Sequence, residues 1–178
     1  MSLIANIVSL TIVSSYIIPP LMYVRTADGW YMRLLGGLLV TNIGVEIMKP
    51  LFGSSGYLGR PTYATDCDAF CGGGDVGGYP GFPSGHMVNV SMFVSALWWR
   101  LRSSAILVVG VPWIAAMAWA RWTKRCHNWQ QILAGSVVGL VCGSFIHNEY
   151  HGASALKWHR DSYFLSYTGI DRYLVSYF

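Results

Sequence analysis

Charge is what this sequence has least of. Asp, Glu, Lys and Arg together make up 11% of 178 residues, against about 25% in soluble domains. That scarcity excludes an ordinary water-soluble domain. The net charge of +4 is too small and too dispersed for a nucleic-acid partner, so none is expected. Cysteine is sparse too, and the four present give no zinc framework. Cys67 and Cys71 share a loop, Cys126 abuts His127, and Cys142 sits in an apolar run. No repeat at a fixed period is visible. The first apolar block lacks both a basic start and a small-residue cleavage site, which reads as an uncleaved anchor.

What is abundant is apolar surface. Hydrophobic residues make up 53% of the chain, and they fall in blocks. A spanning helix needs about 17–25 largely apolar residues. The blocks are Leu3–Tyr23, Met32–Met48, Ser84–Trp99, Ser104–Ala120 and Trp129–Phe145. Pro19 and Pro20 are expected to kink or end the first. The predicted fold is all-α: a polytopic transmembrane bundle of about five spans in the lipid bilayer. Residues 1–146 form the bundle and residues 147–178 a polar, aromatic tail. In that tail Leu156, Tyr163, Tyr167, Ile170, Leu174 and Tyr177 recur at roughly helical spacing. Both an interfacial amphipathic helix and an ordered tail packed on the protein fit that pattern.

Pro50–Phe82 is different in kind. Nine glycines disfavour helix and permit tight turns. The segment reads as a long aqueous loop between the second and third helices.

Polar groups inside apolar blocks are costly and therefore functional candidates. Asn42, Glu46 and Lys49 lie four and three residues apart, on one helix face. Pro83-Ser84-Gly85-His86 stands where the glycine-rich loop becomes the third helix. Free N–H groups there can bind an anion, and His86 sits in the first turn. Arg121, Lys124, Arg125 and His127 cluster between the fourth and fifth helices. Alternating spans bring Lys49, Arg60, His86, Arg121 and His127 to one membrane face. Cations, a helix N-terminus and two imidazoles are what metal-free phosphoryl transfer needs.

Order and spacing here resemble the type 2 phosphatidic acid phosphatase superfamily. Its three motifs are Lys-(six residues)-Arg-Pro, Pro-Ser-Gly-His, and Ser-Arg-(five residues)-His-(three residues)-Asp. This chain has Lys49 and Arg60-Pro61, an intact Pro83-Ser84-Gly85-His86, and Ala120-Arg121 followed after five residues by His127. The resemblance implies His127 as nucleophile, His86 as general acid, and Lys49, Arg60, Ser84, Gly85 and Arg121 as phosphate ligands. It implies no cofactor and no metal.

The departures are ten residues between Lys49 and Arg60, Ala120 for serine, one helix fewer than the usual six, and Gln131 for the aspartate that orients the nucleophile. An amide can accept the imidazole's N–H but cannot offer charge. At the analogous place in a serine hydrolase, Asp→Asn costs about 10⁴-fold. A weakened enzyme is therefore expected, with Gln131→Asp raising turnover, unless Glu46 supplies the missing carboxylate.

The implied function is hydrolysis of a lipid phosphate monoester or diphosphate through a phosphohistidine. The alternatives are an inactive membrane scaffold that keeps the fold, and phosphotransfer to an alcohol. A homo-oligomer is compatible with this composition.

Arg25, Arg33, Arg100, Arg102, Lys157, Arg160 and Arg172 lie on the face opposite the site. Basic residues prefer the cytoplasm. That places the site on the luminal or external side and the C-terminus in the cytoplasm. A short Cys67–Cys71 disulfide is then admissible, and a metal site at Asp66, Cys67, Asp68, Cys71 and Asp75 is the weaker reading.

Overall fold

Every apolar block folds as α-helix, as a backbone shielded from water requires. The computed structural model describes residues 3–152, with side chains through residue 146. Helix α1 (Leu3–Leu10) passes through a 3₁₀ turn, Thr11–Val13, into α2 (Ser14–Thr26). Then follow α3 (Trp30–Phe52), α4 (Gly85–Leu101), α5 (Ser104–Thr123) and α6 (Trp129–Gly152), and no strand forms among the described residues.

Leu3–Thr26, α3, α5 and residues 129–146 of α6 are each long and apolar enough to cross a membrane. The fifth member of the bundle, α4, is 17 residues long and buried at every position from Gly85 to Ala96. The others surround it. Burial is inverted relative to a soluble protein. Leu3, Val40, Leu51, Val108 and Val109 point outward, while Asn89, Ser91, Ser95, Arg121 and Gln131 are inside. An apolar exterior around a partly polar interior marks an integral membrane protein.

Of the two outcomes expected at Pro19 and Pro20, a kink or an end, the end does not occur: the helix continues to Thr26. The prolines remove the amides that would bond to the carbonyls of Ser15 and Tyr16, a loss that transmembrane helices tolerate when neighbours pack against them. The chain leaves the helix at Ala27, whose left-handed backbone lets its N–H cap the Tyr23 carbonyl at 2.7 Å. Asp28 then accepts the Trp30 N–H at 3.0 Å and starts α3. Helix α6 runs to Gly152, six residues past the boundary drawn at 146. The expected amphipathic helix at 156–177 lies outside the described residues.

Short links at residues 27–29, 102–103 and 124–128 force consecutive helices to run antiparallel. The end of α3, the start of α4, the end of α5 and the start of α6 therefore meet at one end of the bundle. Residues 53–84 cover that end. They fold back on themselves through Arg60 N–H to the Tyr79 carbonyl (2.8 Å), Gly81 N–H to Leu58 (2.9 Å) and Val76 N–H to Ala64 (2.8 Å).

The tightest packing is between α4 and α6. Gly135, Gly139 and Gly143 press against the α4 backbone from Ser84 to Ala96, a small-residue row that lets two helices approach closely. A Cβ on Gly139 would sit 2.9 Å from Met92 N and against the Val88 carbonyl, whereas one on Gly36 would meet nothing within 4 Å. Gly139→Ala should therefore cost about 1–3 kcal/mol by overpacking. Gly36→Ala should be neutral or gain up to about 1 kcal/mol in helix propensity. Unfolding midpoints of the detergent-solubilised variants check this; equal midpoints for both would refute it.

Candidate active site

At the loop-covered end, a cavity of about 600 Å³ opens between α2, α3 and α4. The three- and four-residue steps of Leu39, Asn42, Glu46 and Lys49 turn one stripe of α3 into it. The first turn of α4 contributes Gly85 and His86, the covering loop contributes Arg60 and Asp68, and His127 closes the wall. Of the residues singled out in the sequence, Glu46, Lys49, Arg60, Gly85, His86 and His127 share this cavity. Ser84 and Arg121 are not among its lining.

His127 is held from both ring nitrogens. Gln131, one helical turn later, places Oε1 2.8 Å from Nδ1. An amide oxygen can only accept, so Nδ1 carries the proton and Nε2 presents a lone pair. Arg60 Nη1 lies 3.5 Å from that Nε2 and also donates to the Cys126 carbonyl at 3.2 Å. Burial, then the positive charge of Arg60 and of Arg121, hold the His127 imidazole well below its usual pKa. The ring is therefore neutral at pH 7. Burial lowers the Arg60 guanidinium as well, offset by the charge of Glu46. His86 is buried, and its Nε2 has no hydrogen-bond partner. Lys49 is buried and paired with Glu46, whose side chain is 57% exposed.

Arg121 is fully buried and holds the covering loop. It donates to the Cys67 carbonyl at 2.6 Å and to Ser9 Oγ at 3.4 Å. Lys124 does the same to the Asp66 carbonyl at 2.9 Å. The Ser84 hydroxyl is buried without a partner. Its backbone N–H donates to the Gln131 carbonyl at 3.0 Å, joining the starts of α4 and α6.

The cysteine pairing differs from the expected one. Cys67 is bonded to Cys126, 59 residues away, with Cα atoms 5.5 Å apart. The turn closed by Cys71 N–H on the Asp68 carbonyl sends the Cys71 thiol toward the Asn6 carbonyl instead, 3.6 Å away. The disulfide fastens the covering loop to the residue preceding His127. The weaker metal reading is also corrected. Asp66, Asp68 and Asp75 accept loop N–H groups from Gly74, Phe70, Gly72 and Gly77. Among the described residues no three His, Cys, Asp or Glu side chains converge on a metal position.

Gln131 does more than its sequence position suggested. It is fully buried, and its Nε2 donates to the carbonyls of Tyr57, Leu58 and Gly59 at 2.9, 3.2 and 2.7 Å. Those three residues lead directly into Arg60. Gly81 makes room: a Cβ there would lie 2.6 Å from Arg60 Cγ and 3.0 Å from Gln131 Oε1. One amide thus orients His127 with its oxygen and shapes the Arg60 turn with its nitrogen. A carboxylate can do only the first.

The model of the PAP2 superfamily matches residues 30–153, and the chain belongs to that superfamily. No curated protein and no solved structure matches the chain.

The Gln131 geometry sets a stability cost beside the turnover gain expected of Gln131→Asp. Gln131→Glu is the sharper probe, because it keeps the length and the oxygen on His127 while setting a charged acceptor against three carbonyls. Unsatisfied buried partners cost about 1–3 kcal/mol, more for charged groups. The Gln131→Glu and Gln131→Asp proteins should both unfold several degrees below wild type in detergent. Wild-type midpoints in both would refute the role of the amide nitrogen.

Proposed function

We propose that this PAP2 superfamily member hydrolyses a lipid phosphate monoester or diphosphate within the membrane, through a phosphohistidine on His127. The observation that carries the reading is the His127 Nε2 lone pair facing Arg60, in one cavity with Lys49 and the unpartnered Nε2 of His86. A phosphoryl group between Arg60, Lys49 and the first amides of α4 has its oxygens met by fixed positive charge as charge moves in the transition state.

His127 Nε2 attacks phosphorus while the bond to the leaving oxygen breaks, and His86, protonated once the bound phosphate's negative charge offsets the cations around it, gives its proton to that oxygen. The Nδ1–H stays on Gln131 and keeps the ring in line. Water then attacks phosphorus from the vacated side and yields its proton to the now neutral His86. The P–N bond breaks, phosphate leaves, and His127 returns to its starting tautomer. The positive charge that meets the phosphoryl oxygens in this scheme is borne by protein side chains, and no step calls on a divalent ion.

Phosphate release from dioctanoyl phosphatidic acid by the detergent-solubilised protein tests this. Activity should persist in excess chelator, fall to background in His127→Ala, and drop about 10²–10⁴-fold in His86→Ala. Loss on chelation with recovery on adding a divalent ion would overturn metal independence. Retained activity in His127→Ala would overturn the nucleophile.

The site is proposed to face the luminal or external side, with the C-terminus in the cytoplasm. Arg25, Arg33, Arg100 and Arg102 lie at the other end of the bundle, as the cytoplasmic preference of basic residues favours. The Cys67–Cys126 disulfide suits an oxidising compartment. Replacing the free Cys71 and Cys142 with serine leaves that disulfide in place. A Tyr79→Cys thiol in this background, at a position 63% exposed on the covering loop, should react with a membrane-impermeant maleimide on intact cells. Reaction only after permeabilisation would reverse the orientation.

A further inference from the structure

The cavity continues past the phosphate position into the bundle, and its deeper wall is polar where a hydrocarbon tail would need none. On α4, Asn89 is one turn below His86, about 4.5 Å deeper at 1.5 Å per residue. It is 3% exposed. Its Nδ2 donates to Asn42 Oδ1 of α3 at 3.3 Å, which already ties the two helices together. Its Oδ1 and the hydroxyl of Tyr16 on α2 are buried without a partner at full hydrogen-bond geometry, though the two side chains are near enough to interact with each other. All three residues line the cavity. Unmatched buried polar atoms are rare and costly. Here they continue the line begun by the unpartnered His86 Nε2.

We infer that Tyr16, Asn42 and Asn89 form a polar subsite for the alcohol portion of the substrate, selecting lipid phosphates with a hydrogen-bonding group on the second carbon from the ester oxygen. The inference rests on the reaction proposed above. His86 protonates the leaving oxygen, so the atoms beyond that oxygen start at His86 and descend along α4. The substituent on the second carbon comes level with Asn89. An ester carbonyl can accept from the Tyr16 hydroxyl, and a hydroxyl or ammonium can donate to Asn89 Oδ1. Glycerol-based and sphingoid phosphates share this chemistry. A prenyl phosphate puts hydrocarbon there and leaves the Tyr16 and Asn89 groups only their weak contact with each other, the kind of mismatch by which hydrogen-bonding sites reject apolar analogues. The Glu46 carboxylate on the same stripe also disfavours a second phosphate in that place.

The test compares dioctanoyl phosphatidic acid, sphingosine 1-phosphate and farnesyl phosphate. It reads kcat/KM in the wild type and, in the His127→Ala background, the shift in unfolding midpoint that each produces. At least one of the two polar-substituted lipids should exceed farnesyl phosphate about 10-fold or more in kcat/KM and give the larger midpoint shift. The better of the two identifies the backbone. Asn89→Leu and Tyr16→Phe should each shrink that ratio several-fold; Tyr16→Phe keeps the ring and guards against a folding artefact. Equal handling of farnesyl phosphate by wild type, or an unchanged ratio in both variants, overturns the subsite. Selective binding without any His127-dependent turnover would sink the proposed reaction and leave the subsite standing.

Discussion

The close approach of α6 to α4 is the constraint on which the site depends. His86 belongs to the first turn of α4, and His127 lies two residues before the start of α6. The glycine row brings their helices together by letting one backbone lie against the other, and the Ser84 N–H to Gln131 carbonyl bond pins the register at the top. A side chain anywhere in that row would move one imidazole relative to the other. Geometric error of that kind is expensive when reacting atoms must approach closely.

A second level of order connects the loop to this helix pair. The disulfide and Arg121 both hold Cys67, Lys124 holds the Asp66 carbonyl, and the Gln131 amide holds residues 57–59. Arg121 and Lys124 bind carbonyl oxygens, so Arg121, a phosphate ligand by family resemblance, also supports the scaffold. This division makes physical sense. A glycine-rich segment loses much conformational entropy on ordering, and charge-assisted bonds to its carbonyls are among the stronger means of offsetting that loss.

Much of this was legible in the sequence, and the remainder was hidden for identifiable reasons. The helical blocks follow from apolar runs of membrane length. The stripe of Asn42, Glu46 and Lys49 follows from helical periodicity, and the grouping of Lys49, Arg60, His86 and His127 at one end from alternating spans. The passage of a helix through Pro19 and Pro20 was not legible, because packing by neighbours decides it. Nor was the Cys67–Cys126 pair, since two cysteines 59 residues apart carry no local signal. The nearer partner Cys71 looked better only in one dimension. The role of the Gln131 nitrogen was hidden for the same reason: its partners are backbone carbonyls more than seventy residues away. Asn89 had a faint signal, an amide in an apolar block one turn below His86, and it went unread beside the stronger motif.

The neutral amide at 131 poses a question about charge that the surroundings answer. An aspartate beside a nucleophilic histidine offsets the positive charge that the ring gains on attack. In this cavity the ring begins neutral, held there by burial and by the positive field of Arg60 and Arg121. That field makes a cationic ring costlier still. On the proposed reaction, however, the ring becomes cationic only once a phosphoryl group is attached to it. The phosphoryl oxygens then bring negative charge to the nitrogen and screen it from Arg60. The substrate therefore supplies part of what a carboxylate would. What remains for residue 131 is to fix the tautomer and the ring plane, and an amide oxygen at 2.8 Å does that. The nitrogen is then free to shape the turn that presents Arg60, a task closed to aspartate. The segment before Arg60 brings three carbonyls to the α6 start, where the Gln131 nitrogen reaches all three, joined by Asn128 Nδ2 at Tyr57 and by the Gly81 N–H at Leu58.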